Sequence, residues 1–129
     1  MTTTTPKTRT ITLTDRPPVK INEADWPILA EGSGNTFEGV EPGRRRQADE
    51  NGDVEKWWLL VRQHADGRTI VYGIVEASCF QDSREDWRGG ELLPAGSDLA
   101  AAIRRVGESG HLPDRIIREC IADLPAEEL

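Results

Sequence analysis

The chain is poor in the residue types on which most enzymatic and metal chemistry draws. Among 129 residues there are two histidines, two cysteines and one methionine, and aromatic residues make up 5%. Cys79 and Cys120 stand far apart, with no CxxC or Cys/His cluster, so neither a zinc site nor a disulfide framework is encoded and two reduced, buried thiols are expected. The histidines, His64 beside a turn and His111 ahead of a helix, are both expected to be exposed, and no nucleophile–base pair is legible. The chain therefore reads as non-enzymatic, without cofactor or metal. No apolar run reaches the roughly 18 residues of a membrane span, and the start MTTTTPKTRT lacks the apolar stretch of a signal peptide, so a cytoplasmic protein is expected.

What the chain does have is acid. The formal net charge is −7, and residues 65–129 hold 13 acidic against 7 basic side chains, which places most of the excess in the C-terminal half. A diffuse grip on nucleic-acid phosphates is disfavoured by that balance, and a partner with a basic surface is favoured. The length suits one domain. Residues 1–7 and 126–129 read as flexible ends, and 8–125 as a single domain with a long loop at 32–53 marked by Gly32, Gly34, Gly39, Pro42, Gly43 and Gly52.

Within that domain the period-2 run Thr8 to Thr14 predicts a half-buried strand stopped by Asp15-Arg16-Pro17-Pro18. Val19 and Ile21 suit a second short edge segment. Asn22, with Asp25 in the capping-box position, predicts a short helix through Trp26, Ile28 and Leu29 that Gly32 stops, although Pro27 fits the first turn only if Asp25 is the cap. The clearest signal is a hairpin at 56–77 around Asp66-Gly67. A two-residue turn would pair Val61 with Tyr72 and Leu59 with Ile74, giving one face of Trp57, Leu59, Val61, Ile70, Tyr72 and Ile74. Two helices should follow. Ser97 caps the first, with Leu99, Ala102, Ile103 and Val106 inward, and Pro113 opens the second, with Ile116, Ile117, Cys120, Ile121 and Leu124. The expected class is α+β: a small antiparallel sheet, the hairpin plus strand 8–14, packed with one short N-terminal helix and two C-terminal helices.

Gly32-Ser33-Gly34-Asn35 lacks the following Gly-Lys-Ser/Thr of a phosphate loop, and Asp49–Asp53 lacks the ligand spacing of a calcium loop. Binding surfaces remain. Trp87 stands among Asp82, Glu85 and Asp86, as either a lid over the core or an interface anchor, and these four are the first candidate contacts. Arg62, His64 and Arg68 at the hairpin form a second contact, and Trp58 either covers the second sheet face or leaves it as a patch for a partner or a second copy. Arg44, Arg45 and Arg46 are the alternative, a nucleic-acid contact in a dimeric accessory protein.

Residues Thr10–Ile21, Glu23-Ala24-Asp25-Trp26-Pro27, Val61–Arg68 and Val71-Tyr72-Gly73 resemble a group of small uncharacterised proteins carried by phages, prophages and plasmids of Gram-negative bacteria. The resemblance covers about residues 8–76 and brings no catalytic residues. It implies a mobile-element context, in which small acidic proteins include inhibitors of host nucleases and of CRISPR effector complexes. An acidic, non-enzymatic protein-binding module directed at a host or phage protein that handles nucleic acid is the resulting expectation.

Overall fold

The computed structural model describes residues 7–36, 54–78 and 87–126. Six strands come first: β1 (Thr8–Ile11), β2 (Val19–Asn22), β3 (Ile28–Asn35), β4 (Val54–Gln63), β5 (Thr69–Ser78) and β6 (Trp87–Leu93). Helices α1 (Leu99–Ser109) and α2 (Asp114–Ala122) follow. Strands β3 to β6 form one antiparallel sheet in chain order, and β1–β2 form a separate two-stranded sheet. The helices cover one face of the large sheet and the small sheet part of the other, giving three layers with an apolar cluster in each gap.

No N-terminal helix exists among the described residues, contrary to the expectation for Asn22–Leu29. Asn22 does act on its own backbone, accepting the Ala24 N–H at 3.0 Å, but the segment closes as a turn and becomes β3 from Ile28. Pro27 explains the outcome, since it has no N–H to bond the Glu23 carbonyl and its ring would crowd that turn. Its own carbonyl instead accepts the Gln63 N–H at 3.1 Å, which ties the turn to β4.

β3 was hidden in the sequence because its inward positions are small. Ala30 and Gly32 face α2, and a Cβ at Gly32 would lie 2.6 Å from the Ile116 carbonyl oxygen and 3.0 Å from the Cys120 nitrogen. The helix backbone rests on the strand there, so after Leu29, which packs at the margin of the same core, the inward residues are small. Residues 32–35, expected to open the long loop, are thus strand, and 37–53 lie outside the described residues.

Strand 8–14 does not join the hairpin sheet either. Its regular part ends at Ile11 and pairs with β2, Arg9 opposite Ile21 and Ile11 opposite Val19. Leu13 is still buried, and Thr14 reaches β6, its N–H donating to the Gly90 carbonyl at 2.9 Å.

The hairpin forms from Val54 to Ser78, one residue out of the expected register. Val61 pairs with Val71 and Leu59 with Gly73. The turn holds three residues, because the His64 N–H donates to the Arg68 carbonyl and Gly67 takes φ 96°, the left-handed position that closes a three-residue loop with a bulge. Every side chain of β5 therefore sits on the face opposite to the expected one. Trp57, Leu59 and Val61 join Val71 and Val75 beneath the helices, whereas Ile70 and Tyr72 pack with Ile11, Leu13, Ile21 and Trp26 beneath the small sheet.

The cap of α1 is Asp98 rather than Ser97, its carboxylate accepting the Ala101 N–H at 3.1 Å. Pro113 precedes α2, and Ala102, Ile103, Val106, Ile116, Ile117 and Cys120 turn inward. Leu59, Val61, Ile103 and Ile116 are wholly buried, each worth about 1.5–3 kcal/mol of apolar transfer. Burial pushes the Cys120 thiol up to about 12, with Asp123, Glu119 and Glu31 adding to the shift, so the thiol stays protonated and inert in the native protein. Cys79 lies outside the described residues.

Gly32→Ala is expected to lower the unfolding free energy by about 1–3 kcal/mol, because backbone rather than a movable side chain occupies the space. Exposed Ser33→Ala next to it should stay within about 0.5 kcal/mol. Urea unfolding of the two variants is the check, and equal midpoints would contradict this account of β3.

Candidate partner-binding face of the sheet

Arg62 points from β4 toward the small sheet and is 6% exposed. Its Nε donates to the Tyr72 hydroxyl at 2.9 Å and its Nη1 to the Trp26 carbonyl at 3.0 Å, while Nη2 lies 3.5 Å from Glu23 Oε1. The same Glu23 oxygen accepts from Arg9 Nε at 2.6 Å, and its second oxygen lies 3.7 Å from Lys7 Nζ. A carboxylate thus joins three cations, Lys7 just before β1, Arg9 on β1 and Arg62 on β4. The Arg9 hydrogen bond, helped by the charges of Arg9, Lys7 and Arg62, holds the Glu23 carboxyl below the usual range, and the same bond raises the Arg9 guanidinium. Arg62 is consequently an internal tie and not a surface contact of the hairpin tip.

His64 and Arg68 also turn inward to Trp26. The His64 ring lies 5.0 Å from the Trp26 ring, and the Arg68 guanidinium sits 5.3 Å above it. Asp66 completes the tip, accepting the Arg68 N–H at 2.9 Å and its Nε at 2.7 Å. Those bonds, the backbone one first, hold its carboxyl low. The tip is a closed cluster over one tryptophan.

Trp87 is half-buried against the helix-side core. Its ring fills the space above Gly73 and Gly89 and abuts Gly110 at the end of α1, within 2.9 Å of where a Cβ at any of the three would lie. This is the lid arrangement. Asp82, Glu85 and Asp86, and Arg44, Arg45 and Arg46, lie outside the described residues. The structure therefore brings Arg62, His64 and Arg68 together around Trp26 and does not join them to Trp87, which is on the opposite face of the sheet.

Among the described residues, the small sheet covers only part of this face of the large sheet. The small sheet lies across the strands, tied to β4 through Glu23–Arg62 and to β6 through Thr14–Gly90. It covers Ile70 and Tyr72 and rests against Ile74, leaving Trp58 and Ile74 half-buried and Arg88 exposed, the three standing side by side on β4, β5 and β6. Two grooves border this row. One, of about 270 Å³, is lined by Ile28, Trp58, Leu60, Ile74, Arg9 and Glu76 among others, and Ile28 is 46% exposed. The other, of about 340 Å³, lies between Thr10, Thr12, Ile74 and Arg88. Arg9 overhangs both.

Of this face, sequence reading singled out only Trp58. Arg9 and Arg88 carried no local signal, because their placement depends on where β1 and β6 fall. The signal for Ile74 was present in the hairpin, and the register error assigned it to the core.

Comparison of the chain with family models, with curated proteins and with solved structures returns no match. Among the described residues, no helix is long and apolar enough to cross a membrane.

Because its carboxyl is held low in the folded state, Glu23 contributes stability that is present above the ordinary glutamate range and is lost as pH falls through the folded value. Glu23→Gln should therefore lose less stability than the wild type between pH 7 and pH about 3, with Asp66 supplying what remains of the acid dependence. Urea midpoints at the two pH values check this, and equal losses would remove Glu23 as the source.

Proposed function

We propose that the chain is a non-enzymatic protein-binding module whose partner docks on the half-covered row Trp58, Ile74 and Arg88 together with exposed Ile28. The observation that supports this is a groove where exposed Ile28 and half-buried Trp58, Leu60 and Ile74 meet, on a sheet whose opposite face is closed by two helices. An aromatic and two branched aliphatic side chains beside arginines form the kind of patch that carries binding energy in protein interfaces. The side chains with the most reactive chemistry are meanwhile engaged internally: His64 with Trp26 and Asp66, Glu23 with three cations, and Cys120 beneath α2.

This reading moves the contact from the hairpin tip and Trp87 to the other half of the sheet. It keeps the sequence-based expectation of a binding module and of a protein partner, and inhibition of a nucleic-acid-handling complex stays within it as one form of such binding.

With tagged protein in lysate of its source cell, a stoichiometric partner is expected on wild-type bait and on the helix-face variant Glu108→Lys. At least about tenfold less should be retained by Ile74→Asp or Ile28→Asp, because a buried unpaired carboxylate would be placed in the interface. Unfolding midpoints of the bait proteins guard against misfolding. Retention by all baits alike, loss on Glu108→Lys alone, or no partner on any bait would overturn the reading.

A further inference from the structure

Among the described residues, the half-covered part of the sheet is bounded by an edge of β1 that no strand pairs. In the small sheet the Glu23 N–H donates to the Lys7 carbonyl at 2.9 Å. Antiparallel alternation then makes Arg9/Ile21 and Ile11/Val19 the bonded pairs, and Thr8 and Thr10 aim their N–H and C=O groups away from β2. The 340 Å³ groove lies along this edge, with Thr10 and Thr12 in its lining together with Ile74 and Arg88. Unlike Arg9, Arg62 and Arg68, the exposed Arg88 has no hydrogen bond or ion pair among the described residues.

Resting on the reading as a protein-binding module, we propose that β1 accepts an extended acidic segment of the partner as a third strand of the small sheet, its carboxylate on Arg88 and an apolar side chain over Trp58 and Ile74. Backbone bonds to Thr8 and Thr10 supply the affinity, and the row below supplies the selectivity, as in other strand additions. Neighbouring strands stand about 4.8 Å apart, so the midpoint of the Trp58–Ile74 pair is about 7 Å from Arg88. Residues i and i+2 of an added strand are separated by almost the same distance, about 6.8 Å. The recognised pattern is therefore an apolar residue and an acidic residue with one residue between them. Arg9 adds positive charge above the groove, and Glu76, at the Trp58 side, repels a carboxylate placed there and keeps the acid at the Arg88 end.

Charge argues against a second copy of the chain in this place. The inward residues of another β1 would be Arg9 and Ile11, which sets a like charge beside Arg88.

The test is a nuclear magnetic resonance titration of the full labelled chain with the peptides Ac-TLTET-NH2 and Ac-TETLT-NH2, which cover both strand directions, and with Ac-TLTKT-NH2. At least one acidic peptide should shift the amides of Thr8, Thr10 and Thr12 together with the Trp58 indole. The lysine peptide should bind at least about tenfold more weakly, and Arg88→Glu should remove that preference. Thr10→Pro deletes an outward N–H that the β1–β2 ladder does not use, so it should abolish binding at an unchanged urea midpoint. If that variant fails to fold, Arg88→Glu carries the decision. Shifts at Trp58 and Ile74 without the Thr8–Thr12 amides, indifference to peptide charge, or concentration-dependent dimerisation through β1 would each overturn strand addition. If a captured partner still depends on Ile74, such a result leaves the binding-module reading standing; if capture fails as well, both fall.

Discussion

A guanidinium removed from water is costly unless its donors and its charge are answered, and Arg62 at 6% exposure is answered from three sides. Tyr72 supplies a hydroxyl from β5, Trp26 a carbonyl from the turn before β3, and Glu23 a carboxylate from the end of β2. Each partner belongs to a different segment, so satisfying one side chain locates all three. The small sheet lies where it does because Glu23 must come within reach of Arg62, and Thr14 on Gly90 then sets its direction across the strands. The unpaired edge of β1, the half-covered row beneath it and the tryptophan at the hairpin tip all inherit their positions from that tie.

The parts legible in the sequence were those whose signal is local. The Asp66-Gly67 turn marked the hairpin, and the 3.6-residue spacing of Ala102, Ile103 and Val106, then of Ile116, Ile117 and Cys120, marked the two helices. β3 was not legible because its core-facing residues after Leu29 are small, and Asn22 misled because the side-chain bond that begins a turn also begins a helix. The register depended on one dihedral angle at Gly67, which dipeptide statistics do not resolve. The candidate face suffered most: a surface made by β1, β4, β5 and β6 has no footprint in any single stretch, and only the size of Trp58 hinted at it.

The charge of the molecule is also differently arranged from what the totals suggest. The chain carries −7 overall, but acidic and basic side chains nearly balance among the described residues. Among the described residues that line the two grooves, the local sign is positive, with Arg9, which also pairs with Glu23, Arg62 and Arg88 against Glu76. A protein can therefore be acidic as a whole, repel anions at long range, and still offer a carboxylate a favourable seat once short-range contact is made.

The two faces of β5 meet different neighbours: Gly73 makes room for the Trp87 ring on one side, whereas Tyr72 reaches Arg62 on the other. A slip of β5 by one residue against β4 would exchange these sides, driving a tyrosine toward the space of the tryptophan and stranding the guanidinium. A residue gained or lost within Ala65–Gly67 carries no such cost so long as His64 still meets Arg68, because two-, three- and four-residue loops all close hairpins. The hairpin is therefore proofread along its length and not at its tip: the two unlike faces reject a wrong pairing, and the loop is left free to drift.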